Sequence, residues 1–143
     1  ENKPDDNVLT IKEELKKFRK ERGELLFNKV TELFTDHIDL ELDELKKAFF
    51  NKNFKAISDI SHKMVGSLSM MFLDQAVLKA RNIKKYSENK NIDELKKSIT
   101  AFEKTIDDRV IFLSLNFAQV CQVDLLYYML KAIHLAFYLI FNV

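Results

Sequence analysis

Residues 27–71 indicate the fold class of the chain and read FNKVTELFTDHIDLELDELKKAFFNKNFKAISDISHKMVGSLSMM. Apolar residues recur in it at steps of three and four, which is the period of an α-helix rather than of a β-strand. The first stripe comprises Phe27, Val30, Phe34, Ile38, Leu42, Leu45 and Phe49, and the second comprises Phe54, Ile57, Ile60, Met64, Leu68 and Met71. The polar residues NKN at 51–53 supply a turn and an N-cap between the stripes. The stretch therefore predicts two amphipathic helices joined by a short turn.

The rest of the chain continues this pattern in both directions. A short charged helix is expected in front, ending at Gly23, and a further helix is expected to begin near Asp74 with a small-residue face. Asn91 and Glu94 have the spacing of a capping box. They open the most regular stripe in the chain, formed by Ile92, Leu95, Ile99, Phe102, Ile106, Val110, Leu113 and Phe117. We therefore predict an all-α chain, with a disordered lead-in at 1–7 and an antiparallel up-and-down four-helix bundle at 8–117.

The last part of the chain departs from the amphipathic pattern. Residues 125–143 read LLYYMLKAIHLAFYLIFNV and are apolar on nearly every helical face, interrupted by Lys131 and His134. A helix that is hydrophobic all round is buried in protein or in lipid. Two polar side chains near its middle make a membrane span costly. We therefore expect residues 118–143 to form an apolar helical extension that packs on the bundle or pairs two copies into a homodimer, in preference to a membrane contact.

Composition excludes several classes of function. The net charge is +1, without the clustered basic excess that a nucleic-acid-binding protein needs. Two glycines cannot build a glycine-rich nucleotide loop, so we expect no kinase and no other ATP-dependent enzyme. The three histidines fall on different segments without metal-ligand spacing, which predicts no metal site. Cys121 is the only cysteine, and the polar opening ENKPDDNVLT has no secretory signal, so a cytoplasmic protein is expected.

His62 is the candidate functional residue. At 100° per residue it lies roughly 160° from the centre of the apolar stripe near Met64 and Leu68, so we expect it to face solvent. Gly66 follows one turn later, although glycine inside a helix costs about 1 kcal/mol relative to alanine. A side chain at that position would crowd the imidazole, so the glycine leaves an approach for a partner. Lys55, Ser58, Asp59, Gly66 and Ser69 share the solvent face with His62, whereas Ser67 lies closer to the core.

These residues carry a resemblance to a known family. ISHKMVGSLSMM, preceded by ELFTDHIDLELDELKKAFFNKNFKAISD, resembles the histidine-containing phosphotransfer (HPt) domain of phosphorelays. In that family a long helix rich in carboxylates leads through a turn to a second helix with the motif H-x-[LM]-K-G-[SA]. The similarity covers residues 24–115. It implies that His62 is the phosphorylated histidine, Gly66 the motif glycine and Ser67 the small residue after it.

One position departs from the family pattern. Val65 stands where the family commonly has a lysine that holds a phosphoryl oxygen. Three other lysines are candidates for that role, namely Lys63 next to the histidine, Lys55 two turns earlier and Lys84 on the neighbouring helix. Phosphoryl transfer depends on in-line positioning and on cations around the equatorial oxygens, so this substitution bears on charge rather than on fold.

The resemblance implies a phosphorelay carrier. His62 would accept a phosphoryl group from one receiver-domain aspartate and donate it to another, with a sensor or hybrid histidine kinase upstream. The family pattern implies no cofactor on this chain, because the receiver supplies Mg²⁺. Receivers would dock over the exposed face that includes Ser58, Asp59 and Ser69.

A second function remains open from the sequence. Val65 is also consistent with an HPt-like helical interaction or dimerisation module that binds a partner without transferring phosphate. The dimerisation helix of a sensor kinase is disfavoured, because Lys63 follows the histidine and no proline is nearby. His37 is interpreted as an edge histidine of the first stripe, and His134 as a partner-facing or hydrogen-bonded one.

Overall fold

A computed structural model describes residues 6–121 and 125–141, and all of its regular elements are helices. They are α1 (Asp6–Arg22), α2 (Glu24–Phe50), α3 (Phe54–Met70), α4 (Asp74–Glu88), α5 (Ile92–Cys121) and α6 (Leu125–Phe141). The all-α prediction is confirmed, and α4 begins at the predicted Asp74. Residues 1–5, which belong to the predicted lead-in, lie outside the described residues, whereas 6 and 7 already belong to α1. Helix α5 continues past the predicted boundary at 117.

Helices α2 to α5 contact one another in sequence, and α5 also contacts α2. The apolar stripes face one shared core, in which Ile38, Leu45, Ile57, Met64 and Phe102 are almost completely buried. The side chain of Phe117, the last residue of the predicted α5 stripe, lies outside the described part of the chain. The small residues of α4 are buried as well, which lets its backbone approach its neighbours closely. Ile92 is a correction to the predicted stripe of α5, because it is 44% exposed. It occupies the first position of the helix, before the stripe reaches the core.

The three turns between α2 and α5 share one backbone geometry. Helices α2, α3 and α4 each end in a Schellman motif, in which the second residue after the C-cap donates its backbone N–H to a carbonyl oxygen of the last helical turn. At the end of α2, Asn53 N–H donates to the Ala48 carbonyl at 2.9 Å. The residue before that donor has a positive φ and is never glycine, being Lys52, Phe72 or Lys90 in the three turns. The two predicted asparagine caps are confirmed, but the return bond of the capping box does not form, because Asn91 N–H donates to the Tyr86 carbonyl at 3.0 Å. Asn53 Oδ1 accepts from Ala56 N–H at 3.1 Å, and Asn91 Oδ1 accepts from Glu94 N–H at 3.2 Å.

Helix α1 is joined to the other helices by a buried ion pair that the sequence analysis did not predict. Arg109 Nε on α5 donates to Glu14 Oε2 at 2.9 Å, and both side chains are nearly inaccessible to solvent. Glu14 Oε1 also accepts from the backbone N–H of Gln75 at 3.2 Å, in the first turn of α4. The residue at the N-cap of α4, Leu73, makes no side-chain cap, so a carboxylate from another helix takes that role.

Helix α6 packs against α5. Within residues 6–121 and 125–141, no helix combines the length and the apolar character needed to cross a membrane. Residues 122–124 and 142–143 of the predicted extension lie outside the described residues.

Candidate functional site

His62 lies on the exposed face of α3, as the helical spacing predicted. Ile57, Met64 and Leu68 anchor the opposite face of the helix and have no accessible surface. Because these three residues fix the rotation of α3 about its axis, His62 is held towards solvent.

The imidazole of His62 has no hydrogen bond or ion pair with any other part of the described chain. His37 provides a contrast, because its Nδ1 donates to the Leu33 carbonyl at 2.7 Å. A carbonyl oxygen only accepts, so that bond fixes the proton of His37 on Nδ1. The ring nitrogens of His62 are free of such a constraint within the described chain, and one of them is available as a nucleophile whenever the ring is neutral.

Gly66 requires a correction to the sequence interpretation. A Cβ atom built on Gly66 meets no atom within 4 Å. A methyl group at this position would therefore not crowd the imidazole of His62, because the ring does not lean over the following turn. Within the described residues, no contact requires a glycine at this position.

The three candidate lysines are not free cations. Lys55 Nζ pairs with Asp59 at 2.8 Å, Lys63 Nζ with Glu41 at 3.0 Å, and Lys84 Nζ with Glu88 at 3.9 Å. The hydrogen bonds to Asp59 and to Glu41 raise the pKa of Lys55 and of Lys63, respectively. The positive charge expected around His62 is thus already balanced by carboxylates in the free molecule.

Two of these carboxylates, Glu41 and Glu88, were missed by the sequence analysis. Glu41 reaches Lys63 from α2, and its side chain is 15% exposed. Glu88 on α4 accepts a hydrogen bond from the Ser58 hydroxyl at 3.4 Å, which links α4 to α3 beside the histidine. Both lie on helices other than α3, so helical spacing along α3 gives no signal for them.

Val65 stands at the position where the HPt pattern has a lysine. Val65 is partly buried and packs against the hydrophobic core, on the flank of α3 between its exposed and its buried faces. Ser67 is half-buried, and its hydroxyl donates to the Lys63 carbonyl at 3.5 Å. Ser69, on the predicted docking face, is exposed.

An apolar groove of about 470 Å³ runs beside this face, between α2 and α3. Its polar members include His37, Glu41, Lys63 and Ser67, and its apolar lining comes from Val30, Leu33, Phe34, Ile38, Met70 and Met71. Leu33 and Met70 are more than half exposed. The groove therefore offers apolar surface directly next to the face that carries the histidine.

A second cavity of about 220 Å³ lies between α2, α5 and α6, and it is lined by Asp39, Asp43, Glu103, Asp107 and His134, among others. Burial raises the pKa of Asp107 to about 6, with smaller contributions from the neighbouring charges of Glu103 and Asp39. Lys46 pairs with Glu103 in the same place. This cluster was also missed by the sequence analysis, because it forms only where separate helices meet.

Within the described part of the chain, no three His, Cys, Asp or Glu side chains are grouped to hold a metal ion. Comparisons of the chain with models of known protein families, with curated proteins and with solved structures find no match.

Proposed function

We propose that this chain is a histidine phosphotransfer intermediate, built as an HPt-type up-and-down four-helix bundle with an added helix at each end. The observation that carries the proposal is the pairing of an exposed, unconstrained imidazole at His62 with open space over Gly66, one turn away. An exposed histidine alone would be a solvated surface residue. An exposed histidine beside a helical glycine that no internal contact requires is better explained by a partner that approaches both.

The proposed reaction is a reversible displacement at phosphorus. An unprotonated ring nitrogen of His62 attacks the phosphorus of a receiver aspartyl phosphate, so that a nitrogen–phosphorus bond forms. The bond from phosphorus to the aspartyl oxygen breaks, and the carboxylate leaves with the electron pair. The reverse step passes the phosphoryl group to a second receiver. The chain acts as a carrier rather than as an enzyme, and the receiver supplies the Mg²⁺.

The paired lysines are compatible with this role. Lys55 and Lys63 are largely exposed, and surface ion pairs of this kind are weak. A phosphoryl group carries more negative charge than a single carboxylate, so it can compete for either lysine once His62 is phosphorylated. We assign Lys63 the larger role, because its stem starts next to the histidine and its head lies at the edge of the groove.

Docking of a receiver would use the solvent face of α3, including Ser58, Asp59 and Ser69, together with the groove between α2 and α3. Apolar contacts in such a groove supply affinity, while the ion pairs at its rim set orientation. A sensor or hybrid histidine kinase would act upstream, and the cytoplasm is the proposed location.

The test is transfer of labelled phosphate from a charged receiver domain to the full chain. We expect acid-labile, base-stable label on the wild type and on His134→Gln, and none on His62→Gln. His134 is the matched control, since it is also an exposed helical histidine and lies on α6, outside the proposed docking surface. Absence of label from every receiver tried, or label that persists in His62→Gln, would contradict the proposal.

The alternative is a helical interaction module that binds a receiver or another partner without carrying phosphate. Val65 at the position of the family lysine, together with the carboxylate partner of every candidate lysine, favours it. Binding of a receiver with equal affinity to the wild type and to His62→Gln, without transfer of label, would support this module.

A further inference from the structure

Helix α6 has an exposed apolar face of its own. The α6 outer face consists of Met129, Leu130, Ile133, Phe137, Ile140 and Phe141, which are between 45% and 73% exposed. At 100° per residue, these six positions fall within about 120° of one another, so they form one continuous stripe. The rings of Phe137 and Phe141 stack at 5.3 Å within it.

The opposite side of α6 is directed towards the rest of the chain. Leu135 and His134 line the cavity against α2 and α5, and the charge of Lys131 lies close enough to Asp39 to act on its pKa. Lys131 is the only charged residue within Leu125–Phe141, and it lies outside the α6 outer face. Two copies of this face can therefore meet without bringing like charges together.

The size of the face matches what a dimer requires. A whole aromatic side chain presents roughly 200 Å² and an aliphatic one somewhat less, so the exposed fractions leave about 600 Å² of apolar surface on each copy. A standard stable interface buries about 800 Å² on each partner. Two such faces together bury about 1,200 Å², which is the lower limit of a standard stable interface.

The α6 outer face is less suited to a lipid surface than to a second copy of the chain. Helices that lie in a membrane surface carry a strongly charged face, rich in lysine and arginine, opposite the apolar one. Helix α6 has one lysine, and that lysine faces the acidic residue Asp39 of its own chain.

We propose that the α6 outer face is the interface of a homodimer, in which α6 of one copy packs antiparallel on α6 of the other about a two-fold axis. An antiparallel arrangement places the broad aromatic end, at Phe137 and Phe141, against the narrower end at Met129, Leu130 and Ile133. The face is self-complementary in width as well as in charge, as an isologous interface requires. The interface lies on α6, apart from His62 on α3, so the dimer does not depend on the proposed phosphotransfer.

Sedimentation equilibrium of the full chain over a wide range of concentrations tests the dimer. We expect the wild type to have twice the 16.8 kDa mass of one chain. Ile133→Asp and Phe137→Asp should each raise the dimer dissociation constant by roughly 100-fold, because the interface would bury an unpaired carboxylate. Leu25→Asp is the matched control, since Leu25 is 87% exposed on α2, away from this face, and that variant should remain dimeric.

Circular dichroism checks that each variant keeps its helices. If an aspartate variant loses them, Phe137→Ala replaces it, with an expected rise of about tenfold in the dissociation constant. A wild type that stays at the mass of one chain at every concentration would overturn the proposal. So would a dimer that persists in every folded variant of the face. If the wild type is monomeric and floats with phosphatidylcholine vesicles, the α6 outer face binds lipid rather than a second copy, and the dimer proposal is overturned.

Discussion

Gly66 and His62 show how much information two residues one turn apart can carry. The glycine weakens α3, yet a Cβ at its position would meet nothing within 4 Å. A helix that needed only internal packing would gain stability from alanine there. A substitution at residue 66 is therefore expected to change stability and the proposed transfer in opposite directions. Both effects can be measured in the same variant.

Gly66→Ala is expected to raise the free energy of unfolding by about 1 kcal/mol, because it removes the entropic cost of glycine without a clash. The same change should slow the proposed phosphoryl transfer to His62 about tenfold or more, because a methyl group would displace a receiver that closes on this turn. Urea unfolding and the transfer assay measure the two effects.

Asn82→Ala is the control for Gly66→Ala, since Asn82 is exposed on α4 outside the proposed docking face. It should add roughly half a kcal/mol or less of helix propensity and leave transfer unchanged. A fall in the stability of Gly66→Ala would show that α3 packs at this turn in a way the structure does not contain.

At the scale of the helices, the three turns between α2 and α5 contain backbone strain that glycine at the positive-φ position would remove. Lys52, Phe72 and Lys90 have φ values of 54°, 57° and 53°, the left-handed region in which a Cβ is unfavourable. Phe72 is held there by its packing against Phe18, at 5.8 Å between ring centroids. The two lysines are exposed and gain no such compensation.

Lys90→Gly is therefore expected to stabilise the protein by about 1 kcal/mol, because glycine adopts the left-handed conformation without strain. Lys96→Gly, at an exposed position inside α5, should destabilise it by about the same amount. If residue 90 has the positive φ of a Schellman turn, the two variants should change the free energy of unfolding in opposite directions. Thermal or urea unfolding measures both changes. Equal losses of stability would contradict the positive φ at residue 90.

The seam between α2, α5 and α6 predicts a dependence of stability on pH. The pKa of Asp107 is about 6 in the folded chain, against an ordinary 3.8, so the folded state binds this proton more tightly than the unfolded chain does. The stability it contributes is therefore fully present below about pH 4 and is lost as the pH rises through about 6. Since Asp107 is only half-buried, solvent screening limits the effect to about 1 kcal/mol.

Asp107→Asn should remove that part of the decline when the free energy of unfolding is measured in urea from pH 4 to pH 7. Asp36→Asn, at an exposed aspartate of α2, should leave the decline in place. Parallel curves for the wild type and Asp107→Asn would show that this carboxyl does not titrate in the predicted window.

At the scale of the whole molecule, the Glu14–Arg109 pair joins residues 95 positions apart. It ties α1 to α5 and, through Gln75 N–H, to the start of α4. Loss of one member leaves the other charge buried without a partner. Glu14→Gln should therefore lower the free energy of unfolding by about 3–5 kcal/mol.

The double variant Glu14→Leu with Arg109→Met should recover most of that loss, because apolar side chains of similar volume need no partner. Lys97→Gln, which breaks a surface pair with Glu94, should cost less than about 1 kcal/mol. Urea unfolding of the wild type, Glu14→Leu, Arg109→Met and the double variant forms a thermodynamic cycle. Additive losses in the double variant would show that the two charges do not interact.

The helical class, most of the core and the orientation of His62 could be predicted from the sequence alone. These features depend on periodicity within one helix, and the α-helical period is strict enough that Ile57, Met64 and Leu68 fix which side of α3 faces solvent. The caps at Asn53 and Asn91 were predictable for the same reason, since each involves residues three positions apart.

The contacts between groups on different helices could not be predicted in this way. Glu14 and Arg109 each lie within an apolar stripe, beside Leu15 and Ile106. A charged residue in such a stripe indicates a buried ion pair, but the sequence does not show which residue is its partner. Glu41 opposite Lys63, the raised pKa of Asp107 and the bare outer face of α6 likewise depend on the rotation and spacing of neighbouring helices. Those quantities are set by packing over the whole core, so they cannot be obtained from the period of any single helix.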